Sequence, residues 1–206
     1  MVFAGDLAAG KTNEELFYQD ISLHIEADLM IKETGLGKII GEAGYKPVGS
    51  YVMRTMTWRD LDFERSQEPP DWNDHWRIGN NISHLGFVWK FSCVDAYADP
   101  RNGGKDLGLY WGIQLDYPKG GPTWKIDLWT ARQSEWEPIL PERLKWMRKL
   151  TDGTRHHILE IKDSVCHLPE YRQTLLSVHI YEAVLDCDLR TLDEFLEWWK
   201  AKYGNK

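Results

Sequence analysis

The chain has 206 residues, of which 42% are hydrophobic and 28% charged, a composition typical of a globular protein with one domain or a core domain and a modest extension. Its formal net charge of −7 argues against a protein that tracks long nucleic acid, because such proteins usually carry a basic surface. The three cysteines form no CxxC pair, so neither a disulfide framework nor a zinc knuckle is predicted.

Three further features concern location. The N-terminus lacks a basic segment followed by an apolar stretch, so no signal peptide is predicted. No apolar run approaches the roughly 18 residues that a membrane span needs. Unpaired cysteines suit a reducing compartment. We therefore expect a cytoplasmic protein that has no membrane partner.

The first part of the chain has helical patterns. Thr12 and Glu15 have the spacing of a capping box, and apolar residues recur behind them with helical periodicity. This predicts a helix over 13–33. Several glycines then interrupt the pattern, with room for a short helix over 36–43.

Strand patterns dominate the middle of the chain. Runs rich in β-branched and aromatic residues predict strands over 45–53, 58–65, 86–97, 107–115 and 123–130. The Pro- and Gly-rich link between the last two predicts a hairpin turn. Segments 67–74 and 99–105 are predicted loops, and the pattern over 71–83 is weak.

From Pro141 onward helical periodicity replaces the strand patterns, up to a last helix that contains Leu192 and Trp199. Strands in the middle and helices at the end predict an α+β fold. We expect a sheet-containing domain over 1–135 and a helical C-terminal region over 136–206.

Three acidic residues stand out within the predicted strands. Asp60 and Asp62 are two residues apart, so their carboxylates point to the same face of the sheet. Such neighbours repel each other, and folded proteins keep them mainly where a cation or a reaction uses them. Asp127 lies between apolar residues in a later strand. The Gly49-Ser50 turn is separated from the acidic pair by nine residues. Its glycine would let a phosphate approach the backbone closely, and its serine hydroxyl could donate a hydrogen bond to that phosphate.

This arrangement resembles the DNA polymerase beta superfamily of nucleotidyltransferases. The matching features are the apolar-Gly-Ser segment Val48–Ser50, a nine-residue spacer, the acidic–apolar–acidic triplet Asp60–Asp62, and Asp127 in a strand. The resemblance covers about residues 13–130 and looks closest to small stand-alone members, such as those that adenylylate antibiotics. It implies the nucleotidyltransferase fold, a mixed sheet flanked by helices, with the catalytic domain over 1–135.

The resemblance also implies a two-metal reaction, in which an NMP passes from an NTP to a hydroxyl group of a small-molecule acceptor. Asp60, Asp62 and Asp127 would be the catalytic residues and would bind Mg²⁺ or Mn²⁺. Gly49 and Ser50 would hold the phosphates. An antibiotic or a metabolite is the expected acceptor, and the net charge suits a cationic one such as an aminoglycoside.

Three basic residues are candidates for contacts with the triphosphate. Arg54 and Arg59 are near the motif in sequence, although both could equally be surface charges. Lys162 could reach the triphosphate from the helical region, as a basic residue does in some relatives. A solvated lysine is the alternative at that position.

Other interpretations stay open. Asp116 is an alternative to Asp127 as the third carboxylate, although it lies next to the turn-forming residues of the hairpin link. Gly5–Thr12 fits the P-loop pattern of an NTPase or kinase, but only four residues precede it and the predicted hairpin contradicts a parallel sheet. A non-catalytic nucleotide-binding module of the same fold is a further alternative.

Adjacent His156 and His157 diverge on a helix, so we expect no shared metal there. The nucleotide, the acceptor and the oligomeric state are not predicted.

Overall fold

The computed structural model describes residues 11–99 and 108–204. Within these ranges the helices are α1 Asn13–Glu33, α2 Leu36–Glu42, α3 Gly49–Met53, α4 Trp72–Ser83, α5 Gln133–Trp136, α6 Leu140–Lys149, α7 Asp152–Val165, α8 Ser177–Asp186 and α9 Leu192–Tyr203. The strands are β1 Lys46–Val48, β2 Asp60–Ser66, β3 Val88–Asp95, β4 Leu109–Asp116 and β5 Thr123–Ala131. The predicted α+β class is confirmed.

The five strands form one mixed sheet in the order β1-β2-β5-β4-β3. Strands β2 and β5 run parallel, and the other neighbours are antiparallel. In the parallel pair, Asp62 lies opposite Asp127. The topology therefore brings together two segments that are far apart in the chain.

The two faces of the sheet differ in polarity because buried and partly buried residues alternate along β2, β4 and β5. One face is apolar and packs with residues of α1, α2 and α4 in a core that includes Leu23, Leu36, Leu61, Ile78, Ile113 and Ile126. The other face carries polar side chains. Arg143 of α6 forms a two-pronged ion pair there with Glu64 of β2, at 2.5 and 2.8 Å. The helical region therefore borders the polar face.

Helices α6 to α9 pack around a second apolar cluster, which includes Trp146, Ile158, Ile161, Ile180, Tyr181 and Phe195. Met53 of α3 also belongs to this cluster, so the sheet-containing part of the chain contributes to it. The expected boundary at 135/136 falls inside α5. The division into two domains stays a prediction.

Several sequence expectations are confirmed. Helix α1 covers the predicted range, and its capping box is formed: the Thr12 side chain accepts from the Glu15 backbone and the Thr12 backbone donates to the Glu15 carboxylate. The short helix after the glycines is α2. Strands β4 and β5 pair as an antiparallel hairpin, and the end of the chain is helical.

The predicted strand over 45–53 is wrong after Val48. Strand β1 has three residues, and Gly49 then turns the chain with φ +65° into the short helix α3. The Thr55 amide donates to the Ser50 carbonyl at 3.0 Å and closes this turn. A left-handed glycine directly after a strand overrides the strand propensity of the Tyr and Val that follow.

Helix α4 begins inside the predicted loop over 67–74 and fills the segment with the weak pattern. Asp71 caps it by accepting from the Asn73 amide at 2.8 Å. Its four buried residues, His75, Ile78, Gly79 and Ile82, follow helical spacing, but only two of them have large apolar side chains. A Cβ on Gly79 would lie 2.4 Å from the Trp111 ring, so only glycine permits this helix-to-sheet contact.

Two predictions fall on parts of the chain outside the described residues: most of the loop over 99–105, and positions 5–10 of the P-loop pattern. Across the described ranges, none of the helices combines the length and the apolar character that crossing a membrane requires.

Candidate active site

Three carboxylates meet on the polar face of the sheet. Asp62 and Asp127 are direct neighbours on β2 and β5, and Asp60 points to the same face two residues before Asp62. The Lys125 ammonium lies between two of them, 2.5 Å from Asp127 Oδ2 and 3.3 Å from Asp60 Oδ1. The structure therefore brings together the three acidic residues singled out in the sequence.

Burial and neighbouring negative charges raise the pKa of Asp62 and of Asp127. Burial raises the pKa of Asp62 to about 7, and the charges of Asp60 and Asp127 add to the effect. Burial also raises the pKa of Asp127, although the contacts with Lys125 and Tyr110 act in the opposite direction. Carboxylates in this state would gain from a further positive charge, and that is the electrostatic character of a cation site.

Tyr110 of β4 fixes one of these carboxylates. Its hydroxyl donates to Asp127 Oδ1 at 2.8 Å. Burial and the facing Asp127 charge raise the pKa of Tyr110 far above its ordinary value, so the phenol stays protonated and acts as a donor. Asp127 is thus held between Tyr110 on one oxygen and Lys125 on the other.

The Gly49-Ser50 bend lies directly against the acidic cluster. A Cβ built on Gly49 would be 2.6 Å from Asp62 Oδ2, closer than real side chains approach. The positive φ of Gly49 independently disfavours any other residue. The sequence pattern of an apolar residue, Gly and Ser followed by an acidic pair therefore has a physical cause here, because β1 pairs with β2 and delivers the bend to Asp62.

Lys162 of α7 is fully buried and reaches the same bend. Its ammonium donates to Ser50 Oγ at 2.6 Å and to the Thr55 carbonyl at 2.7 Å, and its Nζ lies 5.3 Å from the centre of the Trp58 ring. The alternative of a solvated lysine is wrong. The helical region thus contributes a cation to the site, next to the hydroxyl that was expected to hold phosphate.

A cleft of about 580 Å³ opens beside the cluster. Lys125 lines it together with residues from α1, the loop before β2 and the segment between α7 and α8, including Gln19, Glu26, Trp58, Arg59 and Arg172. Arg172 has φ +68° and stacks on the Trp58 ring at 4.6 Å, with its guanidinium 3.9 Å from Asp60 Oδ2. The wall of the cleft is therefore connected to the acidic cluster through Lys125 and Arg172, which contact Asp60 and Asp127.

The two arginines near the motif have different surroundings. Arg59 lines the cleft but is paired with Glu26, through contacts of 2.5 and 2.8 Å. Arg54 is exposed at the end of α3 with φ +54°, and its carbonyl accepts from Arg155. The structure therefore places Arg59, but not Arg54, on the wall of the cleft.

Three site residues were missed in the sequence: Lys125, Tyr110 and Arg172. Lys125 was detectable, because it lies two positions before Asp127 in the same strand and must share its face. Tyr110 required the hairpin register, in which Gly112 faces Asp127. Arg172 lies in the segment between α7 and α8 and carried no local signal.

The residues of the two alternative interpretations, Asp116 as third carboxylate and the P-loop, make other contacts in the structure. Asp116 pairs with Thr123 at the far end of the hairpin, four positions and about 13 Å along the strand from Asp127. Its Oδ1 accepts from Trp89 and Thr123. In the P-loop pattern, Thr12 caps α1, and the Lys11 ammonium donates to Gln19 and Asp163. No observation among the described residues favours either alternative.

No family model matches this chain, and neither does any curated protein. The chemistry proposed below therefore rests on the geometry of the site itself.

A second group of potential metal ligands lies on α7. His156, His157 and Glu160 each offer one ligand atom, and these atoms all lie within 4.8 Å of one another. The ligand atoms thus lie close enough for this group to hold an ion, and the expectation that the adjacent histidines share no metal stays a prediction. This group must be controlled for whenever a metal effect is assigned to the carboxylates.

Proposed function

We propose that this chain is a metal-dependent nucleotidyltransferase of the DNA polymerase beta superfamily, which transfers an NMP from an NTP to a hydroxyl group of a small molecule. One observation carries the proposal: carboxylates from two parallel strands converge beside a glycine whose position no other residue could take. The helical C-terminal region then covers the catalytic domain on its polar face.

The donor set fits a hard divalent cation. Carboxylate oxygens are the ligands that Mg²⁺ and Mn²⁺ prefer. The Lys125 ammonium already lies between Asp60 and Asp127, which shows that a positive charge is favoured between these side chains. Asp60, Asp62 and Asp127 would hold Mg²⁺ or Mn²⁺, which would neutralise charge on the triphosphate and lower the pKa of the acceptor hydroxyl.

The chain's own residues position the phosphates. Gly49 lets a phosphate approach the backbone closely, and Ser50 offers its hydroxyl as a donor. Lys162 donates to Ser50 and supplies positive charge next to its hydroxyl. Phosphoryl and nucleotidyl transfer depend mainly on such positioning and on charge stabilisation, so no covalent intermediate is required.

The cleft receives the remaining parts of the substrates. Its lining combines the flat ring of Trp58 with three cations, Arg59, Lys125 and Arg172, and one carboxylate, Glu26. This balance favours phosphate or neutral groups over a cationic acceptor. The aminoglycoside expected from net charge therefore gains no support from the cleft, and we propose a hydroxyl-bearing small molecule without specifying its charge.

The proposal is tested with Asp60→Asn and Asp127→Asn, each compared with Asp116→Asn as a matched control on the same sheet. Wild type and the control should be stabilised by Mg²⁺ with at least one of ATP, CTP, GTP and UTP in a thermal-shift assay, whereas the two site variants should lose this response. With labelled NTP and a panel of hydroxyl-bearing acceptors, turnover should fall about a thousandfold or more in the site variants.

The outcomes separate the alternatives. Wild-type transfer by Asp60→Asn and Asp127→Asn would refute the assignment. Nucleotide binding without transfer to any acceptor would favour a non-catalytic binding module. Loss of nucleotide binding in Lys11→Ala, with unchanged binding in the aspartate variants, would favour the alternative of a P-loop NTPase or kinase. The double variant His156→Ala, His157→Ala should keep the Mg²⁺ response, which assigns that response to the carboxylates.

A further inference from the structure

Helix α1 carries an apolar stripe on its outer face. Tyr18, Ile21, Ile25 and Leu29 are 61%, 46%, 57% and 45% exposed. Their spacing of three, four and four residues aligns them along about three turns of one helix face. Single exposed apolar residues are ordinary, but a continuous stripe of four large ones is typical of a surface that contacts another protein.

The opposite face of the same helix is fully used within the chain. Leu23, Ala27 and Met30 are buried in the core beneath the sheet. The stripe is therefore not the core-facing side of α1. A helix that is apolar on both sides requires two contacts, and within the described residues the fold supplies one of them.

Charges at the two ends of the stripe indicate what covers it. Exposed Glu14 lies in the first turn of α1 and exposed Lys32 in the last turn, and both continue the line of the stripe. On the line of the stripe itself, one end thus carries a negative side chain and the other a positive one, while exposed Lys11 and Glu33 lie next to these ends. A second copy of α1 in antiparallel orientation places each positive end opposite a negative end.

The antiparallel register also brings the two central apolar residues of the stripe together. When Glu14 of one copy faces Lys32 of the other, Ile21 faces Ile25 and Tyr18 faces Asp28. Each of these contacts then occurs twice, related by a two-fold axis that passes through the middle of the stripe. Such self-complementary contacts are the property of a symmetric dimer interface.

We propose that the protein forms a homodimer in which two α1 helices pack antiparallel through Tyr18, Ile21, Ile25 and Leu29, with Glu14 of each copy paired to Lys32 of the other. Ser22, which lines the cleft, lies beside the stripe on the same helix. The second copy therefore borders the mouth of the cleft. The interface is independent of the function proposed above.

Charge reversal tests the interface. The full chain is examined by sedimentation velocity and by light scattering across a concentration series. Wild type should approach twice the mass of one chain. Glu14→Lys alone and Lys32→Glu alone should each weaken the dimer on the order of tenfold, because each puts two like-charged pairs in the interface. The double variant should recover the wild-type affinity, since it only exchanges the two charges.

Two further variants complete the design. Ile25→Lys, at the centre of the stripe, should abolish the dimer, whereas Lys38→Glu, an exposed charge on α2, should leave it unchanged. Thermal unfolding of each variant is compared as well, because Glu14 and Lys32 also stabilise α1 through its dipole; helix damage alone cannot be rescued by combining both reversals.

A wild-type protein that stays monomeric at every concentration would overturn the proposal. So would a dimer that Ile25→Lys leaves intact, since it would use another surface. Failure of the double reversal to restore association would overturn the antiparallel register.

Discussion

The sheet and the helical region each bury charge near the Gly49-Ser50 bend, but they do so in different ways. On the sheet, three carboxylates stay close together and are held by one ammonium group and one phenol. In the helical region Lys162 is buried, and its ammonium donates hydrogen bonds to two neutral oxygens, Ser50 Oγ and the Thr55 carbonyl. Aromatic rings surround the rest of its ammonium group.

This difference shows what each region lacks. Buried carboxylates that repel one another are stabilised by added positive charge. The buried ammonium of Lys162 donates only to neutral groups, although its charge acts on Asp62, and it is stabilised further by added negative charge. A metal ion with a triphosphate supplies both at once. The comparison therefore supports a metal–nucleotide complex as the ligand of the bend that lies between the two regions.

The largest effect is expected from Gly49→Ala, which removes the close approach of the bend to the carboxylates. The left-handed φ alone costs about 1–2 kcal/mol for a residue with a Cβ. In addition, the new Cβ would lie 2.6 Å from Asp62 Oδ2, so the carboxylate or the bend must move. We expect a lower free energy of unfolding in urea and complete loss of Mg²⁺–NTP stabilisation in the thermal-shift assay.

Gly41→Ala is the matched control for this change. Gly41 lies in α2, and a Cβ there would meet no atom within 4 Å. Because glycine weakens a helix relative to alanine, this variant should be more stable than wild type by about 0.5–1 kcal/mol and should keep the nucleotide response. A Gly49→Ala protein that behaves like Gly41→Ala would contradict the packing of the bend against Asp62.

A second prediction concerns how the metal-free carboxylate cluster responds to pH. Burial raises the pKa of Asp62 in the folded protein to about 7, whereas an unfolded aspartate releases its proton near pH 4. Between these values the folded state holds a proton that the unfolded state has lost. The free energy of unfolding should therefore fall as the pH rises through this window and level off above it.

Asp62→Asn removes this contribution. With EDTA present, the variant should unfold several degrees above wild type at pH 8, and the difference should shrink toward pH 4. Circular dichroism melts at pH 4, 5, 6, 7 and 8 measure this, and Asp116→Asn should keep the wild-type slope. If the melting temperatures of wild type and Asp62→Asn changed in parallel with pH, the pKa of Asp62 would not be raised in the folded protein.

Local patterns in the sequence predicted much of the fold and the acidic residues of the site. The capping box at Thr12 fixed the start of α1, and period-two alternation placed Asp60 and Asp62 on one face. These features depend only on neighbours in the chain. The same period-two rule was sufficient to find Lys125, two positions before Asp127.

The remaining features depend on contacts between distant segments. Helix α4 was missed because two of its four buried positions, His75 and Gly79, carry no large apolar side chain and instead face the Trp111 ring. The burial of Lys162 follows from the contact of α7 with α3. Sequence patterns within α7 therefore left open the alternative that this lysine is exposed to solvent. Tyr110 required the register of the hairpin before it could be assigned to Asp127.

The smallest expected effect tests the cation of the helical region. Lys162→Met keeps the length of the side chain but removes the charge next to Ser50. Since replacing a buried charge by an apolar side chain of similar volume is often neutral for stability, the fold should survive, with a cost of about 1 kcal/mol for the unpaired Thr55 carbonyl. Affinity for the NTP, measured by calorimetry with Mg²⁺, should fall about tenfold, as expected for loss of one charge-assisted contact.

Mn²⁺ binding measured without nucleotide separates the two regions. The carboxylates lie on the sheet, so Lys162→Met should bind Mn²⁺ alone at least as tightly as wild type, whereas Asp127→Asn should lose it. Lys38→Met, which removes an exposed charge from α2, should change neither affinity. If Lys162→Met bound the NTP with wild-type affinity, the buried ammonium would serve only to join α7 to α3, and the phosphate contacts would have to come from the bend and from the arginines of the cleft.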